Sequence, residues 1–328
     1  MTLPPRTDAL VIPDWPAPSN VRAVVTTRQL PGNSLPPFDA FNLGLRSGES
    51  EDVVQANRAL LVRALALPST PRWLRQVHGV QVAEFADADA RPTPSPALRA
   101  PSPAGGEGKD AYQQNERRAG ISSPSPLTGE GLGRGWGSYL EADVSRGQYY
   151  LAIDADSPTS AQEIPLSEPE ADAAITRDRG VVLAILTADC MPILFCADDG
   201  SETAAAHAGW RGLSAGVIER CVSRMRTAPA RITAWLGPAI GPASYEVGDE
   251  VRAAFVADDG AAASAFAPVR PGHWLCDLYL LARRRLAAAG IERVCGGGFD
   301  TLADRRFYSF RRDGARSGRF ASLIWIAD

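Results

Sequence analysis

Residues 181–187 read VVLAILT, an apolar run with no charged or amide side chain. A strand wetted on one face alternates apolar with polar residues, whereas one that is apolar throughout suits burial on both faces. Burial on both faces demands cover, and the surrounding sequence supplies candidates for it. VRAVVTTR (21–28) has the β-branched density of a strand, and SEDVVQANRALLVRALAL (50–67) reads as a helix with Ser50 as N-cap and acids in the first turn. WLRQVHGVQVAEF (73–85) reads as two strand pieces meeting at Gly79. Beyond TAAAH, residues Leu213, Val217, Cys221 and Met225 fall four apart, one face of a helix starting just past His207. RITAWLG (231–237) reads as a strand, and Val247 to Val256 and Leu275 to Ala289 read as helices, the second closed by Gly290. Two late strands, RFYSFRR (306–312) and GRFASLIWI (318–326), complete the series. Interleaved strands and helices predict an α/β fold, a single domain over residues 1–328 with mixed β-sheets flanked by helices. With 45% apolar residues, the 328-residue chain can bury a sizeable core.

Residues 90–165 depart from this pattern. Pro, Gly and Ser crowd together, the chain's only lysine (Lys109) appears, and PSPAGGEG (101–108) recurs as PSPLTGEG (124–131). Such a composition buries too little apolar surface to offset its ordering entropy, so a long disordered insertion is expected here. Its GLGRG (131–135) follows no strand and opens no helix, which removes the nucleotide-binding reading of those glycines.

The formal charge of −4 and the lack of any basic block give no electrostatic footprint for nucleic acid. No stretch approaches the roughly 20 apolar residues of a membrane span. Prolines break up MTLPPRTDALVIPDWP where a signal peptide needs an apolar run, so a cytoplasmic location is expected. Five cysteines, an odd number, are expected as reduced thiols.

Chemistry concentrates at strand ends. Two of the three histidines, His78 and His207, sit beside small residues at such ends, and Cys190 follows the buried run directly. Two imidazoles and one thiolate can supply three tetrahedral zinc ligands and leave a fourth position for water. Equally, a lone cysteine near a strand is usually a small buried hydrophobe and a lone histidine a satisfied polar group.

The ordered stretches QVHG (76–79), TADC (187–190) and AHAGWRG (206–212) resemble the YfiH family of peptidoglycan editing factors and laccase-domain, multicopper polyphenol oxidase proteins. FNLG (41–44), GPAIGPASYEVG (237–248), FYSFRRD (307–313) and GRFASLIW (318–325) extend the resemblance over the whole chain apart from the insertion. It implies a zinc-dependent enzyme that phosphorolyses adenosine, inosine, guanosine and methylthioadenosine and also deaminates adenosine. Zinc ligands carried over are His78, Cys190 and His207. The family often has Cys-Thr ahead of its late aromatic-arginine stretch, whereas this chain has Asp300 there, which puts any role of that cysteine in doubt.

Beside the ligands, Asp189 suits either a proton carrier or a brace for the turn, and Arg211 suits phosphate. Both are candidate catalytic residues, and Asn42, Arg75 and Gln76 are candidate substrate-binding residues. HWLC (273–276) has metal-like spacing but lacks partners, so Cys276 is expected as packing and His273 as surface. Two rival functions use the same residues: a Cys–His hydrolase with Cys190 as nucleophile, editing a peptidoglycan precursor, and a non-catalytic partner protein stabilised by zinc. Three histidines are too few for a multicopper oxidase.

Overall fold

Alternation along the strands explains how the layers stack. The computed structural model describes residues 9–86 and 168–328, with the backbone of 139–143 and 148–152. In chain order the elements begin with β1 (Leu10–Val11), β2 (Val21–Thr26), α1 (Glu51–Ala64), β3 (Val82–Phe85), β4 (Tyr139–Asp143) and β5 (Gln148–Ala152). Next come β6 (Ala173–Thr176), β7 (Leu183–Thr187), β8 (Met191–Ala197), β9 (Thr203–Ala208), α2 (Trp210–Ala215), α3 (Val217–Arg224) and β10 (Ile232–Leu236). The remainder are β11 (Glu246–Gly248), α4 (Asp249–Val256), β12 (Phe266–Arg270), β13 (His273–Cys276), α5 (Leu278–Ala288), β14 (Arg293–Gly296), α6 (Phe310–Asp313) and β15 (Phe320–Ile326).

Two sheets carry the core. One is antiparallel in the order β1-β2-β15-β7; the other is mixed, in the order β14-β10-β8-β9-β6-β3, with parallel pairs at both edges. Successive residues of a strand point to opposite faces. Val21, Val25, Leu183, Ile185, Phe320 and Ile324 of the first sheet accordingly meet Leu194, Ala205 and Trp235 of the second in one apolar layer. Their neighbours Val24, Ala184 and Leu323 pack outward with Leu61 of α1. On the far side of the second sheet, Ile193, Ala204 and Ala234 pack with Cys221 of α3 and Leu281 of α5. The layers therefore run helix, sheet, sheet, helices. Both sheets are covered on both faces, as the unbroken apolar run of β7 requires.

Several boundaries differ from the sequence reading, each for a local reason. The first helix stops at Ala64 because Pro68 disfavours helical backbone before it, and Ala66 takes φ 46°. Ser50 precedes that helix without a side-chain capping bond. Of residues 73–85 only β3 is a strand. The helix expected after His207 is broken at Gly216 (φ 95°) into α2 and α3, an αL conformation that glycine adopts without cost. The helices expected from Val247 and Leu275 each begin as strand, β11 and β13; α5 starts after Asp277, whose side chain accepts from the Leu280 N–H at 2.9 Å. RFYSFRR is no strand. There Asp304 accepts from the Arg306 N–H (2.9 Å) and Ser309 from the Arg312 N–H (3.2 Å), so local side-chain bonds replace a ladder and end in α6.

The expected insertion falls mostly outside the described residues. Within it, however, β4 and β5 pair antiparallel from Tyr139↔Ala152 to Asp143↔Gln148, where the sequence reading expects no structure. Pro and Gly dominate the composition of the span as a whole, whereas Tyr139, Tyr149 and Tyr150 favour strand locally. Among the described residues no helix is long and apolar enough to cross a membrane.

Candidate metal centre

The C-terminal end of β7 organises the site from both of its edges. On one edge Gln76 acts like a strand partner: its Nε2 donates to the Leu186 carbonyl and its Oε1 accepts from the Leu186 N–H, both at 2.8 Å. This fixes the chain two residues ahead of His78. The chain then turns at His78 (φ 63°) around the buried carboxylate of Asp172, which accepts the N–H groups of Val77 (3.2 Å), His78 (2.9 Å) and Gly79 (2.6 Å). Three successive amides around one carboxylate form a concave anion nest.

Beyond Thr187 the chain turns into β8 and delivers Cys190. Asp189 (φ 89°) shapes this turn: Oδ1 accepts from the Thr301 hydroxyl (2.7 Å), Oδ2 from the Arg311 N–H (2.6 Å), and its carbonyl from the Ile240 N–H (3.0 Å). Non-glycine residues held at positive φ cost about 1–3 kcal/mol and persist where surrounding bonds over-determine them. His78 and Asp189 meet that description in the two turns that flank the site.

His207 lies near the end of β9, opposite Pro192. It shares the parity of Ala205, so it faces the space between the sheets. Its Nδ1 lies 2.8 Å from Asp172 Oδ1. That bond leaves Nε2 to point at the centre.

The three side chains converge. Their donor atoms all lie within 4.8 Å of one another, the Cys190 Sγ is 3.8 Å from His78 Nε2, and the two imidazole rings sit 4.8 Å apart at 69°. A tetrahedral zinc ion with ordinary bond lengths separates a sulfur from a nitrogen ligand by about 3.6 Å. The donors are therefore almost in place for an ion. Gly209 makes the convergence possible, since a Cβ there would stand 2.7 Å from Cys190 Sγ and 3.2 Å from His78 Cδ2.

Charge agrees with geometry. Burial raises the Cys190 thiol, but His207 and His78 more than offset this and bring it down to about 6. Burial lowers His207, while Cys190 and Asp172 raise it to about 9. Cys196, Cys221 and Cys276, buried without such neighbours, are pushed up to about 12. All five thiols are free, and Cys276 packs in the core as expected.

The other sequence candidates are placed as follows. Asp189 adjoins the centre with both oxygens bonded. Asn42 is fully buried, donating to Ser47 Oγ (2.7 Å) and Glu49 Oε2 (2.8 Å) and accepting from the N–H groups of Gly44 (3.0 Å) and Arg319 (2.8 Å). Arg75 is exposed, 3.7 Å from Glu170. Arg211 is exposed on α2, its guanidinium 4.5 Å over the Trp210 ring. His273 is partly exposed and lies 3.1 Å from Glu246. Asp300, standing where the family often has cysteine, braces the turn after β10 by accepting from the Gly241 N–H (3.1 Å) and Ser244 Oγ (2.5 Å). Sequence reasoning missed Asp172 and Gly209. The signal for Asp172 was a carboxylate opening the run DAAI, since a charge there must find partners.

Fold and site together define an α/β sandwich that carries a preassembled His–Cys–His centre where its two sheets meet. The chain belongs to the family described as multi-copper polyphenol oxidoreductase laccase, which matches residues 22–121 and 146–327. It is 42% identical over 323 residues to a purine nucleoside phosphorylase of Xylella fastidiosa, covering 97% of this chain and 96% of that one. It is 39% identical over 319 residues to the purine nucleoside phosphorylase YfiH of Escherichia coli, covering 97% and 98%. A crystal structure of a Neisseria meningitidis protein superposes with a TM-score of 0.70 at 31% identity, covering 98% of this chain and all of that one.

Proposed function

We propose that the chain is a zinc-dependent purine nucleoside phosphorylase acting on adenosine, inosine, guanosine and methylthioadenosine, with a second activity that deaminates adenosine. The observation that carries this reading is the convergence of two imidazoles and one acidic thiol within 4.8 Å, in a chain whose relatives bear the phosphorylase name. One thiolate with two imidazoles suits zinc, and three protein ligands leave a fourth tetrahedral position open, as catalytic rather than structural zinc sites do. Three histidines, one of them against Glu246, fall short of a multicopper centre. When bound, the ion supplies Lewis acidity toward a substrate oxygen.

The chain's own residues do the rest. Asp172 fixes the His207 tautomer and holds the His78 turn. Asp189, with both oxygens engaged, favours the bracing role over proton transfer. Gln76 holds Leu186 through one donated and one accepted bond, Asn42 holds its neighbours through a saturated amide, and Arg211 and Arg75 offer exposed guanidinium groups to anionic substrate. In phosphorolysis a phosphate oxygen bonds to C1′ as the glycosidic C–N bond breaks; the base leaves with the electron pair and is protonated. In deamination water supplies the oxygen at C6 and ammonia departs. A Cys190 nucleophile acting on a peptidoglycan precursor needs only one imidazole, so the second ring favours the metal reading.

Chromatography of adenosine reactions tests this. Inosine should form without phosphate, and adenine with ribose 1-phosphate only when phosphate is present. No product from any purine nucleoside would refute the assignment.

A further inference from the structure

We propose that Arg319 is a phosphate-binding arginine of this site, less exposed than Arg211 and Arg75 and held for that task by Asn42 and Gly44. This rests on the phosphorylase reading above. Position comes first. Phe320 pairs with Thr187, so Arg319, one residue earlier in an antiparallel partner, lies opposite Ala188 at the start of the turn that delivers Cys190. The segment ahead of it closes on the same turn, since the Arg311 N–H bonds Asp189 Oδ2 at 2.6 Å and the Phe310 ring lies 5.9 Å beneath the Arg319 guanidinium. Burial lowers the Arg319 guanidinium, and the charges that raise it belong to Cys190 and Asp189.

Preorganisation comes second. The Arg319 N–H donates to Asn42 Oδ1 at 2.8 Å. Its stem lies where a side chain on Gly44 would be, for a Cβ there would stand 2.6 Å from Arg319 Cγ. Nη1 donates to the Ser317 (2.7 Å) and Gly318 (2.9 Å) carbonyls, which fixes the plane of the fork. Thus FNLG and GRFASLIW, far apart in sequence, build one post.

The missing partner comes third. A guanidinium drawn into the fold commonly has a carboxylate, as the buried Arg58 has Glu168 at 2.9 Å; Arg319 is partly buried. Arg319 has none among the described residues, and its Nε and Nη2 keep donor capacity free. The fork of those two nitrogens matches two oxygens of a phosphate.

The test measures inorganic phosphate binding by calorimetry on zinc-loaded protein, alongside phosphorolysis and phosphate-independent deamination. Arg319→Gln should weaken phosphate binding, and raise the KM for phosphate, by about 10- to 100-fold. Zinc content should be unchanged, and the loss in phosphorolysis should exceed any change in deamination. Arg319→Lys should recover part of the loss, and Gly44→Ala should reproduce part of it by displacing the stem. Arg316→Gln, an exposed arginine of the same segment, should bind phosphate like the parent. Equal phosphate affinity in parent and Arg319→Gln would overturn the assignment. A parent that neither binds phosphate nor phosphorolyses nucleosides would instead overturn the phosphorylase reading on which it rests.

Discussion

Asp172→Asn tests how much of the metal centre is set from behind the ligands. The carboxylate accepts four hydrogen bonds, from His207 Nδ1 (2.8 Å) and the amides of Val77 (3.2 Å), His78 (2.9 Å) and Gly79 (2.6 Å). An asparagine keeps one acceptor oxygen and turns the other position into a donor. If the new NH₂ replaces Oδ2, it faces the Val77 and Gly79 N–H groups and leaves both unbonded. If it replaces Oδ1, it strands the His78 N–H and drives His207 to the tautomer with a proton on Nε2, which cannot ligate. Each stranded donor costs about 1–3 kcal/mol, so two cost about 2–4 kcal/mol once partial hydration of the 77–79 turn is allowed for. That is a large share of the roughly 5–15 kcal/mol that keeps a domain folded, so the variant should fold but melt at lower temperature. Zinc affinity, measured by competition with a chromophoric chelator, should fall about 10- to 100-fold. A folded variant that binds zinc within twofold of the parent would refute the claim that the Asp172 carboxylate tunes the centre from behind its three candidate ligands.

Three further outcomes are expected. Because Cys190 is brought down to about 6 and His207 raised to about 9, the pair holds one proton between those values. Zinc binding near pH 7.5 should release close to one proton, and affinity should fall as pH drops through 6 and the thiolate is protonated; calorimetry in buffers of different ionisation enthalpy reads both, and release of two protons at pH 7.5 would contradict the pairing. Gly209→Ala places a methyl 2.7 Å from Cys190 Sγ, and overpacking of about 1–3 kcal/mol should reduce zinc content while leaving circular dichroism near that of the parent. Replacing residues 91–135 by a short Gly/Ser linker should leave zinc content unchanged by elemental analysis, because residues 72–79 and 172–209 position all three candidate ligands, and the length of a flexible connection changes closure entropy by only about 0.6 kcal/mol per doubling.

The three candidate ligands were legible because their chemistry is local. QVHG, TADC and AHAG each put a metal-binding residue type where a strand or turn begins or ends, and the apolar run before TADC announced a strand covered on both sides. Asp172 was not legible, since its four bonds join segments separated by more than 30 residues on one side and 90 on the other. The break at Gly216 was hidden by apolar residues that kept helical spacing across it, so that α2 and α3 read as one helix. In RFYSFRR the aromatic residues promised a strand, while Asp304 and Ser309 offered the backbone closer partners and won. Asn42 is expected as a substrate contact from the sequence; the fold adds that its amide oxygen accepts from the Arg319 N–H at the far end of the chain.

Zinc-edge X-ray absorption of the purified protein tests the centre most directly. One zinc per chain is expected, with one sulfur ligand at about 2.3 Å and two imidazole nitrogens at about 2.0–2.1 Å, and Cys190→Ser should erase the sulfur shell. A spectrum with no sulfur ligand, or a fully active protein without metal, would contradict the assignment of His78, Cys190 and His207 as its ligands.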